Sequence, residues 1–317
     1  MERPDPDRSA RPTPQAHPRF YPLGQLALVL TYNSGCPKGM CLFPLKERRT
    51  ISLSHNAGFY LEMGTDEPQG KRGEGRCACM HSVAYFPRFS CRWNEAFQKE
   101  VLSSRLETTD LLARAITKAP QPPQAWILVT GVAYYQPSLT AEYDEDSPGG
   151  DFDFFSNLVT KWEAAARLPG DSTRQVVVRS GVVLGRGGGA IGHMLLPFRL
   201  GLGGPIGSGQ QFFPWIHIGD LAGILAHALE ASHVQGVLNG VAPASTTTNA
   251  EFAQALGTAL GRPAFIPLPS AVVQAVFGQE RAIMLLEGQK VIPRRTLATG
   301  YQYSFPELGA ALKEIVA

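Results

Sequence analysis

Cysteine is scarce in this chain of 317 residues, and it is confined to one end. The five cysteines are Cys36, Cys41, Cys77, Cys79 and Cys91. An odd number with irregular spacing is not the pattern of a secreted disulfide framework. Cys77, Cys79, His81 and Cys91 are candidate metal ligands, but zinc ligands are usually separated by two to four residues and Cys77 and Cys79 by one. We therefore predict no metal site.

The sequence also lacks a long apolar run and an excess of either charge. No apolar stretch approaches the roughly 20 residues that a membrane-spanning helix needs. The 29 basic and 27 acidic residues leave a net charge of +2, which gives no reason to expect binding to nucleic acid or to a membrane. These absences favour an ordinary globular protein, and we expect it to be intracellular and cytoplasmic.

Residues 1–91 have little regular patterning. Prolines, glycines and serines interrupt each candidate element, and residues 69–76 have the composition of a flexible linker. Only residues 25–32 resemble a strand, and nothing clearly helical follows them. Because low periodicity with many breakers is typical of disorder, we expect this segment to be a disordered or loosely attached extension.

From Arg92 onward, helices and strands alternate. Apolar residues recur at helical spacing from Trp93 to Ile116, and prolines end that helix. The apolar run 125–130 predicts a buried strand. Further strands are predicted at 175–184, 215–218 and 236–241, and further helices at 151–167, 191–200, 220–231, 249–260, 270–287 and 307–315. This alternation predicts an α/β fold with a doubly wound parallel sheet over residues 92–262, followed by a small C-terminal α/β region over residues 263–317.

A glycine motif follows the strand predicted at 175–184. Residues 187–192 match G-x-G-x-x-G between a strand and a helix, which is the setting of dinucleotide-binding turns. No Asp or Glu lies between Asp171 and Asp220, so the acidic residue that would hold a ribose is missing. We interpret the motif as a flexible loop rather than as the main pyrophosphate site. The arginines of the acid-free stretch leave two readings open, an anion-binding segment and a solvated basic loop.

Four segments together resemble the extended short-chain dehydrogenase/reductases, and in particular their epimerase-like members. They are residues 127–134 (ILVTGVAY), 177–185 (VVRSGVVLG), 213–220 (FPWIHIGD) and 236–239 (GVLN). The resemblance covers residues 92–317 and implies a Rossmann-type sheet, NADP as the cofactor and a small-molecule substrate. It also implies N-terminal strands and a glycine turn that residues 1–91 do not reproduce. We therefore expect those strands to be missing or replaced, as in an alternative isoform or a faulty gene model.

The resemblance implies roles for individual residues. In this superfamily a Tyr transfers a proton, a Lys lowers the pKa of that Tyr, and a Ser or Thr hydrogen-bonds the substrate carbonyl. Thr130 matches the Ser/Thr position and Lys161 the Lys position, but Asn157 stands where the Tyr is expected. The cofactor contacts that the resemblance implies are Glu100, Arg105 and Val183.

The missing Tyr and the unmatched residues 1–91 leave three functions open. The first is an NADP(H)-dependent oxidoreductase or epimerase-like enzyme, the second a nucleotide-binding scaffold without catalysis, and the third a truncated product without a functional cofactor site. Tyr134 and Tyr135 are candidate substitutes for the missing Tyr, although we interpret both as half-buried aromatic residues.

Four other positions are interpreted as structural. His217 and Asp220 are expected to anchor a strand to the following helix rather than to take part in chemistry. Trp162 and Glu163 are expected to be a core indole beside a solvent-facing acid.

Overall fold

The computed structural model describes residues 27–33, 50–54, 58–62, 77–83, 93–186, 188–244 and 246–317. The first four of these ranges are described as backbone. The linker predicted at 69–76 and the candidate metal ligand Cys91 lie outside the described residues. In the part of the chain that is described, no helix is long and apolar enough to cross a membrane.

The described strands are β1 (Ala27–Asn33), β2 (Thr50–Ser54), β3 (Gly58–Glu62), β4 (Cys77–Val83), β5 (Ala125–Gly131), β6 (Glu142–Tyr143), β7 (Arg174–Ser180), β8 (Val182–Leu184), β9 (Trp215–His217), β10 (Gly236–Gly240) and β11 (Lys290–Val291). The described helices are α1 (Glu95–Lys118), α2 (Phe154–Ala165), α3 (Gly189–Arg199), α4 (Ile218–Glu230), α5 (Asn249–Leu260), α6 (Ser270–Phe277), α7 (Gln279–Leu286), α8 (Arg294–Ala298) and α9 (Leu308–Val316). A 3-10 turn, Val132–Tyr134, follows β5.

The main sheet has the strand order β10-β7-β5-β1-β4. Strands β5, β7 and β10 are parallel neighbours, with Val176 of β7 opposite both Ile127 of β5 and Gly236 of β10. Helix α2 connects β5 to β7, and α4 lies between β7 and β10 in the chain. The predicted doubly wound parallel arrangement is therefore confirmed for these three strands.

Alternation along β5 separates the two faces of the sheet. Trp126 and Leu128 pack with Ile116 of α1 and Trp162 of α2, whereas Ile127 and Val129 pack with residues of α4 such as Ile224. This follows from the period of two residues in a strand, which sends successive side chains to opposite faces. Each of the seven residues of β5 is buried, so the strand lies at the centre of the layered structure.

The other edge of the main sheet departs from the parallel pattern. Strand β1 runs antiparallel to β5, with Leu28 opposite Val129 and Tyr32 opposite Ala125, and β4 runs antiparallel to β1. The strand predicted at 25–32 is confirmed as β1. Strands β2, β3 and β4 were not predicted, so the described residues before position 84 include strands that the sequence did not indicate. On this side the sheet continues with antiparallel strands rather than parallel ones.

Two predicted elements are each divided at a glycine. The strand predicted at 175–184 ends at Ser180, because the chain leaves the main sheet at Gly181 and continues as β8, which pairs with β9. A Cβ on Gly181 would lie 2.6 Å from the carbonyl oxygen of Pro214, so only glycine fits this crossing. The helix predicted at 270–287 is divided into α6 and α7 at Gly278, whose φ of 79° is incompatible with a continuing helix.

The C-terminal region packs on the parallel part of the structure. Helix α5 begins at the predicted position, where the side chains of Thr248 and Glu251 form a capping box. Helices α5 and α9 enclose a core with Trp215 and Leu184. Strand β11 pairs with β6, which brings the loop after β5 against the segment before α8. The short elements β6, β11 and α8 were not predicted.

Candidate functional site

Polar side chains mark the carboxyl ends of all three parallel strands. Thr130 lies at the end of β5, Arg179 at the end of β7 and Asn239 at the end of β10. All three are at most 3% exposed. The carboxyl ends of parallel strands meet at one edge of the sheet, where α/β proteins bind ligands. These residues therefore define the candidate site.

Arg179 and Glu163 form a buried ion pair at this edge. The guanidinium donates to both carboxylate oxygens of Glu163, from Nε to Oε1 at 2.9 Å and from Nη2 to Oε2 at 2.8 Å. Thr130 Oγ1 donates to the same Oε1 at 3.0 Å. Although burial opposes it, Glu163 raises the pKa of Arg179. The expectation that Glu163 faces solvent is wrong, because its side chain is only 11% exposed.

Trp162, beside Glu163, lies in the core as expected. Its indole Nε1 donates to Thr109 Oγ1 of α1 at 2.9 Å, so the buried N–H has a partner. Helix α2 begins at a capping box in which Asp153 accepts from the backbone N–H of Ser156. Packing of Trp162 in the core between α1 and β5 directs Glu163, the next residue, to the strand ends.

Two tyrosines complete the enclosure of Arg179. The Tyr135 hydroxyl accepts from Arg179 Nη1 at 3.0 Å and donates to Asn239 Oδ1 at 2.8 Å. Burial raises the pKa of Tyr135, and the charge of Arg179 opposes that shift. The ring of Tyr134 stacks on the guanidinium, whose central carbon is 3.3 Å from the ring centroid. The same ring packs on Gly149, where a Cβ would overlap it. Tyr135 is thus fully buried, more than expected, whereas Tyr134 is half-buried.

A second buried carboxylate, Glu145, fastens the loop after β5 to the C-terminal region. It accepts from the backbone N–H of Asn239 at 3.1 Å and of Thr296 at 3.2 Å through Oε1, and of Arg295 at 2.9 Å through Oε2. No role for Glu145 was predicted from the sequence. Its partners are backbone N–H groups, which leave no signal in the sequence, whereas the side chains of Arg294 and Arg295 pair with its neighbours Asp144 and Asp146.

The structure does not bring the two predicted catalytic residues together. Thr130 is buried, and its hydroxyl is directed to Glu163. Lys161 is exposed on α2, and it is two residues from Glu163, which places it on nearly the opposite side of the helix. Asn157, one turn before Lys161, is half-buried. The site therefore joins Thr130 to a carboxylate and a guanidinium rather than to a lysine and a tyrosine.

The three predicted cofactor contacts have different surroundings. Arg105 is buried on α1, with Nη1 donating to the Val101 carbonyl at 3.1 Å and its guanidinium 5.7 Å from the Trp162 ring. Burial lowers the pKa of Arg105. Glu100 is exposed on the same helix, and Val183 is half-buried in β8.

His217 and Asp220 have the anchoring positions that were expected of them. His217 Nδ1 accepts from the backbone N–H of Gly219 at 3.1 Å, which caps α4. The buried Asp220 accepts from the backbone N–H groups of Ser304 at 2.7 Å and Phe305 at 2.9 Å. These contacts tie β9, α4 and the C-terminal segment together.

The glycine motif lies beside the smaller sheet. Helix α3 begins at Gly189 after β8, which belongs to the two-stranded sheet with β9. Four of its six residues, 189–192, lie at the start of α3, so most of the motif is helical rather than a loop, and it does not follow a strand of the main sheet. Among the described residues no group of three or more His, Cys, Asp or Glu could hold a metal ion. Cys77, Cys79 and His81 lie in β4, which is described as backbone only.

Comparisons with known proteins agree with this fold and show which family the chain belongs to. A family model described as a domain of unknown function (DUF1731) matches residues 268–315. Over 226 residues the chain is 92% identical to the Bos taurus protein named epimerase family protein SDR39U1 and 91% identical to the Homo sapiens protein of that name. The match covers 71% of this chain and 77% of each relative.

A solved structure extends the comparison to three dimensions. The crystal structure of human epimerase family protein SDR39U1 (isoform 2) with NADPH is 89% identical in sequence, with a TM-score of 0.70. The match covers 72% of this chain and 77% of the chain in that crystal structure. The chain therefore belongs to the SDR39U1 epimerase family, whose fold is that of the NAD(P)-binding short-chain dehydrogenase/reductases.

Proposed function

We propose that the chain binds NADP(H) and acts, as an epimerase-like oxidoreductase, on a small-molecule substrate. The observation that carries this proposal is the likeness to the human protein that was crystallised with NADPH. The parallel strands β5, β7 and β10, at whose carboxyl ends such a ligand binds, are present in this chain.

The chemistry of the three predicted contact residues fits NADP(H). The guanidinium of Arg105 offers N–H donors of the kind that bind phosphate, and the carboxylate of Glu100 can accept from a ribose hydroxyl. Val183 offers an apolar surface. When bound, NADPH supplies the hydride, and the protein's part is to orient the reacting groups and to exclude water.

The edge next to β5 limits how much of the cofactor the described residues can hold. Because β1 runs antiparallel to β5, it presents its amino end, near Leu28, beside the carboxyl end of β5. A pyrophosphate-binding turn follows the carboxyl end of a strand. The proposed binding therefore rests on the contacts from α1 and β8, and we expect lower affinity than in a sheet with a parallel strand next to β5.

A second candidate function is a nucleotide-binding protein without hydride transfer. It is favoured by the hydrogen bond from Thr130 to Glu163, because a hydroxyl that donates there is not available to donate to a substrate carbonyl. The exposed position of Lys161 and the amide at Asn157 favour it as well, since an amide is not a proton donor at neutral pH. The catalytic roles of Thr130 and Lys161 therefore remain predictions.

The binding proposal is tested by thermal unfolding of the full chain with and without NADPH. A ligand at about one hundred times its Kd stabilises the folded state by about 2.7 kcal/mol, which raises the midpoint by several degrees. We expect NADPH to give this rise. An unchanged midpoint with NADPH, NADP⁺ and NADH would contradict the proposal.

A matched pair of arginine variants locates the binding. Arg105→Met is expected to weaken NADPH binding about ten- to a hundredfold, because a charged hydrogen bond to phosphate is lost. Arg114→Met, on the same helix with a side chain 70% exposed, is the control and should bind NADPH as the parent does.

Turnover of added carbonyl compounds, followed through consumption of NADPH, then distinguishes an enzyme from a scaffold without catalysis. Binding without turnover favours the scaffold.

A further inference from the structure

Exposed apolar side chains are concentrated in one part of the surface. Of the thirteen large hydrophobic residues that are exposed in the described chain, nine lie between positions 196 and 284. They are Leu196, Leu200, Leu202, Phe265, Ile266, Leu268, Val272, Val276 and Met284. Single exposed apolar residues are ordinary, but a concentration of this kind marks a surface that binds something.

Two of the segments that carry these residues are neighbours in space. The segment after α3 pairs with the segment before α6, since the N–H of Ile266 donates to the Gly203 carbonyl at 3.1 Å and the N–H of Leu268 to the Pro205 carbonyl at 2.8 Å. The segment 201–206 follows directly on α3, and 263–268 leads directly into α6. The two paired segments therefore bring the exposed leucines in and just after α3 to the same face as the exposed Phe265.

The charges on this face have one sign. The two segments that carry it, residues 196–206 and 262–276, contain no Asp or Glu. They contain Arg199 at the end of α3 and Arg262 after α5, both exposed. Within the described part of the chain, neither arginine forms an ion pair. We call the face formed by Leu196, Arg199, Leu200, Leu202, Arg262 and Phe265 the basic apolar surface.

The sign of the charge distinguishes between possible occupants. A second copy of the chain that docked through this same face would place arginines opposite arginines with no carboxylate between them, which is unfavourable. A bilayer that contains anionic lipids offers an apolar interior for leucine and phenylalanine and a negative surface for arginine. We propose that the basic apolar surface binds the surface of an anionic lipid bilayer.

The proposal is tested with vesicles and the purified full chain. Sedimentation with phosphatidylcholine vesicles is compared with sedimentation with vesicles in which about a third of the lipid is phosphatidylserine. We expect binding to the second kind only, and we expect it to weaken with added salt because the attraction is screened. Binding that is equal for both vesicles, or absent from both, overturns the proposal.

Two pairs of variants assign the binding to this face. Arg199→Gln with Arg262→Gln should weaken binding about 25-fold, since each basic residue near an anionic surface contributes about fivefold. Arg114→Gln on α1 is the control and should change little. Phe265→Asp should abolish binding, whereas Leu111→Asp, at an exposed position on α1 (66%), should not.

The same variants cover the alternative that two copies associate. The mass of the chain in solution is measured by light scattering over a range of concentrations. A dimer that Phe265→Asp abolishes would overturn the proposal, because the face would then be an interface between copies. A mass independent of concentration, with vesicle binding lost in Phe265→Asp, supports the bilayer.

Discussion

The two sides of the main sheet are built differently, and the difference shows what strand direction does for a site. Strands β5, β7 and β10 are parallel, so Thr130, Arg179 and Asn239 meet at one edge and share a hydrogen-bond network. Strand β1 is antiparallel, so its carboxyl end at Asn33 lies at the opposite edge, near the amino end of β5. The strand next to β5 therefore contributes no carboxyl end to the site, and the nearest carboxyl end on that side is that of β4, at Val83, one strand further out.

The parallel side also concentrates buried charge. Arg179 and Glu163 are each within hydrogen-bonding distance of two or more partners, and their side chains are 4% and 11% exposed. A buried ion pair is weak evidence for stability as such, but removal of one partner leaves an uncompensated charge. If the contacts at the carboxyl edge hold the three strands in place, disrupting this ion pair should lower the free energy of unfolding far more than disrupting the antiparallel strands does.

The largest effect is therefore expected for Glu163→Leu. The guanidinium of Arg179 would be left buried without its carboxylate, and the Thr130 hydroxyl would lose its acceptor. We expect the free energy of unfolding, measured with urea, to fall by about 3–5 kcal/mol. Lys161→Leu, two residues away on the exposed side of α2, is the control and should stay within about 0.5 kcal/mol.

A double variant shows whether the stability lost in Glu163→Leu comes from the unpaired charge of Arg179 or from the lost hydrogen-bond network. Glu163→Leu combined with Arg179→Met removes both charges, so it should regain part of the stability that Glu163→Leu loses. A double variant less stable than the single one would show that the network, rather than the unpaired charge, stabilises the strand ends.

A smaller effect is expected when the antiparallel edge is broken. Leu30→Pro removes the backbone N–H of a residue that lies opposite Ile127 of β5 and Met80 of β4. We expect a loss of about 2 kcal/mol, from one hydrogen bond and its unpaired acceptor. Leu30→Ala keeps the N–H and serves as the control for the side chain.

Hydrogen exchange tests the same edge directly. In Leu30→Pro the β5 amides that face β1 should exchange faster, while those of β10, on the far side of β7, should not change. Equal exchange in the parent and the variant would mean that β1 does not protect β5.

Sequence periodicity predicted the parallel part of the fold because each element there has one buried face. The helical spacing from Trp93 to Ile116 corresponds to α1, and the apolar run at 125–130 to β5. The pattern failed at Gly181 and Gly278, because the apolar pattern continues through both glycines while the chain changes direction. Hydrophobic periodicity predicts which residues are buried, but it does not predict which sheet or helix they pack against.

The candidate site was less accessible to sequence reasoning. The resemblance to a known family pointed to Thr130, but it did not indicate that Glu163 and Arg179 surround it. Those two residues lie 16 positions apart on different elements, and only the packing of α2 on the sheet brings them together. One signal was present, since Arg179 is a charged residue in an otherwise apolar strand and a buried arginine requires a carboxylate partner.

The smallest effect is expected at the outer end of the parallel side, where Tyr303 meets the chain just after β10. Its hydroxyl donates to the Val241 carbonyl at 2.9 Å, and burial, with neighbouring negative charges, raises its pKa. Tyr303→Phe should cost about 1 kcal/mol at pH 7, the net value of one hydrogen bond.

The raised pKa of Tyr303 also gives the sign of a pH dependence. In the unfolded chain a tyrosine ionises near pH 10, whereas in the folded chain Tyr303 stays protonated at that pH. Its contribution is therefore complete below about pH 10 and is lost as the pH rises toward the folded pKa. Urea unfolding at pH 7 and above pH 10 should show a steeper alkaline loss in the parent than in Tyr303→Phe. Equal slopes would mean that Tyr303 ionises in the folded chain as readily as in the unfolded one.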